Sequence, residues 1–127
     1  MLADAPVIAM IATKDLAKAR KFYEETLGLT SAEEMPGGVS FSCGDGSRIA
    51  VYTTYVSNLG EQTVAAWEVE DIKNEVADLK SRGVEFVEYD LPQMKTVDSI
   101  VAEEGFGSAA WFKDPDGNIL SLVQRQA

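Results

Sequence analysis

The chain has 127 residues, of which 46% are hydrophobic and 25% are charged, and these values are typical of one globular domain. Its formal charge of −10, from 11 basic and 21 acidic residues, would repel a phosphate backbone and predicts no nucleic-acid binding. The sequence has no long apolar run and no basic N-terminal segment, so we expect neither a membrane span nor a signal peptide, and its single cysteine agrees with a cytoplasmic protein.

The first predicted elements are a strand, a helix and a hairpin. Asp15 follows a short apolar run and is a residue type that caps helix N-termini. Apolar side chains then recur near a 3.6-residue period before Gly28 ends the helix; they are Leu16, Ala19, Phe22, Tyr23 and Leu27. Residues 39–43 and 48–54 alternate in polarity around the Asp45–Gly46 turn, which predicts a hairpin with Val39, Phe41 and Cys43 on its buried face.

The same order of elements then returns after a polar, glycine-containing linker at residues 55–63. Asp71 is the second predicted helix cap, and Gly83 is the expected left-handed residue after the helix. Between them the apolar stripe consists of Ile72, Val76 and Leu79. The chain therefore repeats a unit of strand, helix and three strands.

A second hairpin is predicted where residues 108–112 and 118–123 flank a turn in which Asp114 and Asp116 are interpreted as turn formers. The second repeat is nevertheless longer, because Asp71 to Gly117 spans 15 more positions than Asp15 to Gly46. The extra residues fall in 90–107, which mixes acidic and apolar side chains without clear periodicity. A loop of that length is functional or mobile, and we interpret it as a lid.

The segments KDLAKARKFYEETLGL and WFKDPDGNILSLVQ resemble, over essentially the whole chain, the vicinal-oxygen-chelate superfamily of glyoxalases, bleomycin resistance proteins and extradiol dioxygenases. The resemblance implies an α+β fold in which two tandem βαβββ modules form a cupped, partly open mixed sheet within a homodimer. It implies a single glyoxalase-like domain at 1–127, with module one at 1–58, the linker at 55–63 and module two at 64–127, including a lid-like insertion at 90–107.

Members of that superfamily hold a divalent metal with His, Glu or Gln at four strand positions. Two lie seven residues before the helix-capping Asp and two lie four residues after the hairpin Gly, which here gives Ile8, Ala50, Val64 and Ser121. The first three have no donor atom, a neutral serine hydroxyl is a poor ligand, and the chain contains no histidine. We therefore predict no metal, no other cofactor, and none of the superfamily's metal-dependent glyoxalase or dioxygenase activity.

Side chains that share parity with those four positions should face into the cup, since faces alternate along a strand. Together with the insertion they predict a ligand-binding set of Met10, Ser42, Arg48, Tyr52, Ala66, Glu68, Met94, Phe106, Trp111 and Ser121. This surface is largely apolar with aromatic walls and would suit a flat or hydrophobic organic molecule. Trp67 and Phe112 are instead expected to pack under the helices.

Three functions fit these residues. The first is a metal-free binding protein, similar to the bleomycin-resistance branch, that sequesters a small apolar or aromatic molecule, which the acidic charge would favour if it were cationic. The second is a metal-independent isomerase, lyase or cyclase that uses a desolvated Glu68 as general base. The third is a non-catalytic interaction module whose cup is filled by its own side chains. We favour the binding protein, with a small organic molecule and a second copy of the chain as partners.

Overall fold

The structure, a computed structural model, describes residues 2–4, 7–54, 60–92, 94–105 and 107–126. Its contacts divide the chain into two compact units, Met1–Gly60 and Glu61–Ala127. Each unit contains a strand, a helix and then further strands, arranged in a mixed sheet. The predicted α+β fold of two tandem modules is confirmed, and residues 55–59 of the predicted linker lie outside the described residues.

Unit one contains β1 (Ile8–Thr13), α1 (Leu16–Lys21), β2 (Thr30–Met35), β3 (Gly38–Ser42) and β4 (Arg48–Thr53). A short 3₁₀ turn, Leu2–Asp4, precedes β1, and a π-helical turn, Phe22–Thr26, extends α1. The strands form a sheet in the order β1-β4-β3-β2, in which β1 and β4 are parallel and the other neighbours are antiparallel.

The predicted start and apolar face of α1 are confirmed. Asp15 has an extended backbone, and its carboxylate accepts a hydrogen bond of 3.1 Å from the backbone N–H of Lys18, which would otherwise lack a partner at the helix start. Ala19 and Tyr23 are fully buried, and the Tyr23 ring stacks on Phe41 with centroids 6.4 Å apart. The predicted core residues of β3 are buried except for Cys43, which is half-buried.

Unit two contains β5 (Thr63–Glu68), α2 (Ile72–Ser81), β6 (Phe86–Val87), β7 (Asp90–Leu91), β8 (Met94–Lys95), β9 (Ile100–Glu103), β10 (Gly107–Lys113) and β11 (Ile119–Arg125). Its sheet has the order β5-β11-β10-β6, and β9 also pairs with β10. The pair β5 and β11 is parallel, as β1 and β4 are in unit one. Strands β7 and β8 form a separate hairpin.

Helix α2 packs against β10 and β11 through the predicted apolar stripe, whose members Ile72, Val76 and Leu79 are all buried. Asp71 caps the helix by accepting a hydrogen bond of 3.2 Å from the backbone N–H of Asn74. Trp67 stacks on the buried ring of Phe112, with centroids 6.4 Å apart, so both side chains lie on the helix side of the sheet as predicted. Within the described residues, no helix is long and apolar enough to cross a bilayer.

The turn between β10 and β11 depends on Asp114. Its Oδ1 accepts hydrogen bonds of 2.9 Å from the backbone N–H groups of Asp116 and Asn118, and the side-chain amide of Asn118 donates to its Oδ2 at 2.8 Å. Asp114 is buried, so these bonds compensate the carboxylate for the water that it lacks. The interpretation of Asp114 as a turn former is confirmed.

The expectation of an irregular loop at 90–107 is wrong. The segment forms the β7–β8 hairpin and then β9, which pairs with β10 from Ile100 opposite Ala110 to Glu103 opposite Gly107. Strands of two and four residues are too short to produce a visible alternation of polarity in the sequence. The insertion therefore adds ordered strand structure beside the sheet of unit two.

Candidate ligand-binding groove

Unit two contains a groove of about 680 Å³ on the sheet face opposite Phe112. Strands β9, β10 and β11 provide its floor, which includes Val101, Ala109, Trp111 and Val123. The β7–β8 hairpin provides a wall through Leu91, Pro92, Met94 and Lys95. A volume of this size falls within the range of pockets that bind small organic molecules, roughly 300 to 1,000 Å³.

Trp111 is fixed in the floor by sheet register and by an aromatic neighbour. It lies opposite Ser121 in β11, two positions from the pair Ala109 and Val123, so all of these residues share one face. The rings of Tyr89 and Trp111 make a T-shaped contact with centroids 5.3 Å apart. The indole is half-buried, so part of this large apolar surface stays accessible in the groove.

A network around Glu88 anchors the hairpin wall. The Glu88 carboxylate accepts hydrogen bonds from the hydroxyl of Thr96 at 2.8 Å and from the hydroxyl and backbone N–H of Ser99 at 2.5 and 3.1 Å. Thr96 and Ser99 are both buried, and Thr96 also accepts from the backbone N–H of Tyr89 at 2.9 Å. The donors from Ser99 and then Thr96 favour the ionised form and lower the pKa of Glu88 below its ordinary value.

Sequence reasoning did not identify this network. Its members lie 8 and 11 residues apart in a segment without clear periodicity, so no sequence pattern connected them. The turn that they hold includes two left-handed residues other than glycine, Asp98 at φ 51° and Ser99 at φ 74°. Aspartate tolerates that conformation and gave a weak signal of a turn, whereas serine gave none.

A second, acidic groove of about 780 Å³ adjoins the first, and Glu103 lines both. The other acidic residues in its lining are Glu68, Glu70 and Glu104. The expectation of a desolvated Glu68 is not met in this unit, because its side chain is 60% exposed and pairs with Arg125 at 3.3 Å. An exposed, ion-paired carboxylate does not fit the premise of a buried general base.

The predicted site residues of unit one lie together on one sheet face. Register places Ser42 beside Arg48 on neighbouring strands, and Met10 beside Ala50. The Arg48 guanidinium donates to the hydroxyls of Ser42 at 3.1 Å and Ser40 at 2.5 Å, and to the carboxylate of Glu33 at 3.2 Å. Half-buried Tyr52 and 50% exposed Met10 complete this face, so it combines a polar network with apolar surface.

The predicted residues of unit two divide into three groups. Trp111 and Met94 line the groove, and Glu68 lines its acidic neighbour. Ser121 and Ala66 pair across β11 and β5 on the same sheet face but do not line the groove, and the buried Ser121 hydroxyl donates to the carbonyl oxygen of Leu122 at 3.3 Å. Phe106 lies outside the described residues.

The four strand positions at which relatives hold a metal do not fit one here. Ile8 and Ala50 lie two register steps apart on parallel neighbours, and Val64 lies at the register shift of the equivalent pair in unit two. Only Ser121 among the four offers a side-chain oxygen, and a neutral serine hydroxyl is a poor ligand for a divalent metal. Over the described ranges, no cluster of three or more His, Cys, Asp or Glu residues could supply another donor set.

Comparison with known proteins places these features in a family. The model of the glyoxalase/bleomycin resistance protein/dioxygenase superfamily matches residues 6–122. A glyoxalase-family protein of Bacillus anthracis is 20% identical, with a TM-score of 0.71 over 97% of this chain and 96% of its own. No protein of curated function matches the sequence significantly.

Two further solved structures share the fold. TnmS3, an antibiotic binding protein of Streptomyces sp. CB03234, is 20% identical, with a TM-score of 0.67 over 99% of both chains. A glyoxalase/bleomycin resistance protein/dioxygenase of Nocardioides is 21% identical, with a TM-score of 0.66 over 95% of this chain and 83% of its own. At these identities the likeness establishes the fold.

Proposed function

Because this chain belongs to the glyoxalase/bleomycin resistance protein/dioxygenase superfamily, we propose that it is a metal-free member that binds a small, largely apolar or aromatic molecule in the groove of unit two. The observation that carries the proposal is the half-buried indole of Trp111 in the floor of that groove. Tyr89 holds the ring in place, and Met94 adds an adaptable side chain from the hairpin. A flat apolar ligand would cover surface that water now contacts.

The metal-free part of the proposal rests on donor chemistry. Ile8, Ala50 and Val64 offer only carbon to a cation, and a neutral serine hydroxyl such as that of Ser121 does not hold a catalytic divalent metal alone. Metal-dependent glyoxalase and dioxygenase reactions need a coordinated cation that polarises the substrate. Metal analysis that found a stoichiometric cation required for binding or activity would contradict this part.

We propose that the protein sequesters the molecule that it binds. The similar fold of TnmS3, an antibiotic binding protein, supports it, and binding of that kind needs no catalytic group. An isomerase, lyase or cyclase that uses Glu68 is less well supported, because this carboxylate is exposed and paired with Arg125. The open groove also argues against a module whose binding surface is filled by its own side chains. A homodimer in the cytoplasm is part of the same proposal.

The two tryptophans allow a test with an internal control, because Trp111 lies in the groove and Trp67 lies on the helix side of the same sheet. Titration with neutral 2-naphthamide, followed by NMR of the two indole N–H signals, should shift the Trp111 signal saturably and leave Trp67 unchanged. The Trp111→Leu variant should bind roughly tenfold or more weakly, since aromatic anchors dominate such sites. The matched Trp67→Phe variant should bind normally.

The same measurements also show which results would contradict ligand binding in the groove. An unshifted Trp111 signal at millimolar 2-naphthamide, or equal affinity in Trp111→Leu and the unmodified protein, would contradict ligand binding in this groove. Circular dichroism of both variants would establish that each is folded before affinities are compared. A shift of Trp67 alone would place the binding site on the other face of the sheet and would equally contradict the proposal.

A further inference from the structure

The lining of the groove in unit two carries one positive and one negative side chain, on two different elements. Lys95 belongs to β8 in the hairpin wall, and Glu103 belongs to β9, where the groove adjoins the acidic groove. The same lining includes the apolar side chains of Val101, Ala109 and Trp111. Building on the proposed function, we infer that this groove selects zwitterionic molecules, with an apolar or aromatic body over Trp111, an anionic group near Lys95 and a cationic group near Glu103.

The two charged side chains have no partners among the residues that the structure describes. Neither Lys95 nor Glu103 takes part in a salt bridge or side-chain hydrogen bond there, although other ionic residues of this unit pair, such as Arg125 with Glu68 and Arg82 with Asp78. Asp90 faces Lys95 across the hairpin register, yet the two form no ion pair within 4.0 Å. Both groups are exposed and can meet a ligand without first breaking an internal bond.

The surrounding side chains make the electrostatic potential near Glu103 more negative. Glu103 lies where the groove meets Glu68, Glu70 and Glu104, and the whole chain carries a formal charge of −10, so the local field favours a cation there. Lys95 is the only basic residue in the described lining of the groove. A purely cationic ligand would leave Lys95 without a ligand group to pair with, and a purely anionic ligand would leave Glu103 without one.

Four probes with the same naphthalene ring but different charged groups test the contribution of each charge. They are 6-(aminomethyl)-2-naphthoic acid as the zwitterion, 2-(aminomethyl)naphthalene as the cation, 2-naphthoic acid as the anion and 2-naphthamide as the neutral compound. We expect the zwitterion to bind most tightly and the cation next, with each exposed charge contact contributing roughly 3- to 5-fold in affinity. The gain of the zwitterion over 2-naphthamide should shrink at 0.5 M salt.

Variants assign each preference to one side chain. Lys95→Gln should remove the advantage of the zwitterion over the cation, and Glu103→Gln should remove its advantage over the anion. Lys113→Gln and Glu85→Gln change exposed residues of the same unit outside the groove lining, so they should leave the order of the four probes unchanged. These controls separate local contacts from a general change in net charge.

The outcomes distinguish this inference from the function on which it rests. If 2-naphthamide fails to bind, ligand binding in the groove is itself contradicted. If all four probes bind with equal affinity, the groove binds aromatic rings but the zwitterion inference is wrong. Equal affinity of the cation and the zwitterion in the unmodified protein would overturn the role of Lys95, and an unchanged probe order in Glu103→Gln would overturn that of Glu103.

Discussion

The two units share a topology and differ at one strand. In unit one, a single strand, β2, pairs with β3 along the outer edge of the sheet. In unit two, β6 and β9 occupy the equivalent edge of β10, with β6 beside Trp111 and Phe112 and β9 beside residues 107–110. The chain leaves the sheet between them to build the β7–β8 hairpin. The groove lies where the repeat is interrupted, and the hairpin supplies a wall that has no equivalent in the described residues of unit one.

Equivalent positions on the open sheet faces also carry different chemistry. Ser40 lies opposite Ala50 in unit one, and Trp111 lies opposite Ser121 in unit two. In unit one, the Arg48 guanidinium bonds to Ser40, so this position belongs to a polar network. In unit two, the indole leaves a broad apolar surface. The two units thus share a backbone scaffold and differ in their open face and outer edge, and the proposed binding groove lies where both differ.

The largest effect that we expect comes from glycines that begin equivalent strands, Gly38 of β3 and Gly107 of β10. A Cβ on Gly107 would lie 2.0 Å from the carbonyl oxygen of Gln124, and its φ of 129° suits only glycine. Gly107→Ala should therefore lower the free energy of unfolding by about 3 kcal/mol or more in urea denaturation. Gly38→Ala, with 2.4 Å to the carbonyl oxygen of Val51 but no positive φ, should cost about 2 kcal/mol.

Gly105→Ala is the matched control for backbone conformation without a clash. Its φ is 89° and a Cβ would meet no atom within 4 Å, so it should cost only about 1 kcal/mol. If Gly107→Ala proved as stable as Gly105→Ala, the close approach of β10 and β11 would not be as described. A larger loss for Gly38→Ala than for Gly107→Ala would reverse the comparison between the units.

Local signals explain how much could be predicted from the sequence. Helix caps at Asp15 and Asp71, the apolar stripe of α2 and the turn at Asp114 all depend on neighbours within a few residues, and each was predicted correctly. The four metal-ligand positions followed from resemblance and internal counting. They stay a prediction; in the sheets, Ile8 and Ala50 lie two register steps apart and Val64 lies at a register shift.

Features that depend on distant partners could not be predicted. Strand β9 exists because it pairs with β10, and a four-residue strand has too few positions to reveal an alternation. The ion pair of Glu68 is made with Arg125, which is 57 residues away in the chain. The π-helical turn after α1 had no signal, because its apolar residues also fit the 3.6-residue period. Sequence reasoning thus named Trp111 and Met94, which line the groove, but it did not predict the β7–β8 hairpin and β9 that help to form it.

An intermediate effect should come from Glu88, which has no counterpart network in the described part of unit one. Glu88→Gln loses an ionised acceptor for Ser99 and Thr96 and should destabilise the hairpin at pH 7. Because the folded-state pKa is lowered, this stabilisation is present above the ordinary value of 4.5 and is lost as the pH falls through the folded pKa. The difference in unfolding free energy between Glu88→Gln and the unmodified protein should therefore shrink below pH 4.5.

Hydrogen exchange localises that effect. The backbone N–H of Thr96 donates to the carbonyl oxygen of Tyr89 at the base of the hairpin, so its exchange should accelerate in Glu88→Gln while exchange in β3 and β4 stays unchanged. Glu85→Gln, at an exposed residue nearby, is the control. Equal exchange at Thr96 in both variants, or a stability difference that grows as the pH is lowered, would show that Glu88 does not anchor the wall.

The smallest effect that we expect is the difference in stability lost when the N-terminal cap of α1 or of α2 is removed. Asp15→Ala removes the side-chain cap of α1 and should cost about 1 kcal/mol. Asp71→Ala should cost a few tenths of a kcal/mol less. The reason is a second bond at the start of α2, in which the backbone N–H of Ile72 donates to the side-chain oxygen of Gln124 in β11 at 2.8 Å and keeps α2 docked. Unfolding in urea measures both, with Asp→Asn at each position as the control that retains an acceptor. In a Gln124→Ala background the two losses of stability should become equal, because α2 would then depend on Asp71 as α1 depends on Asp15. A difference that persisted in that background would have its origin elsewhere in the helices.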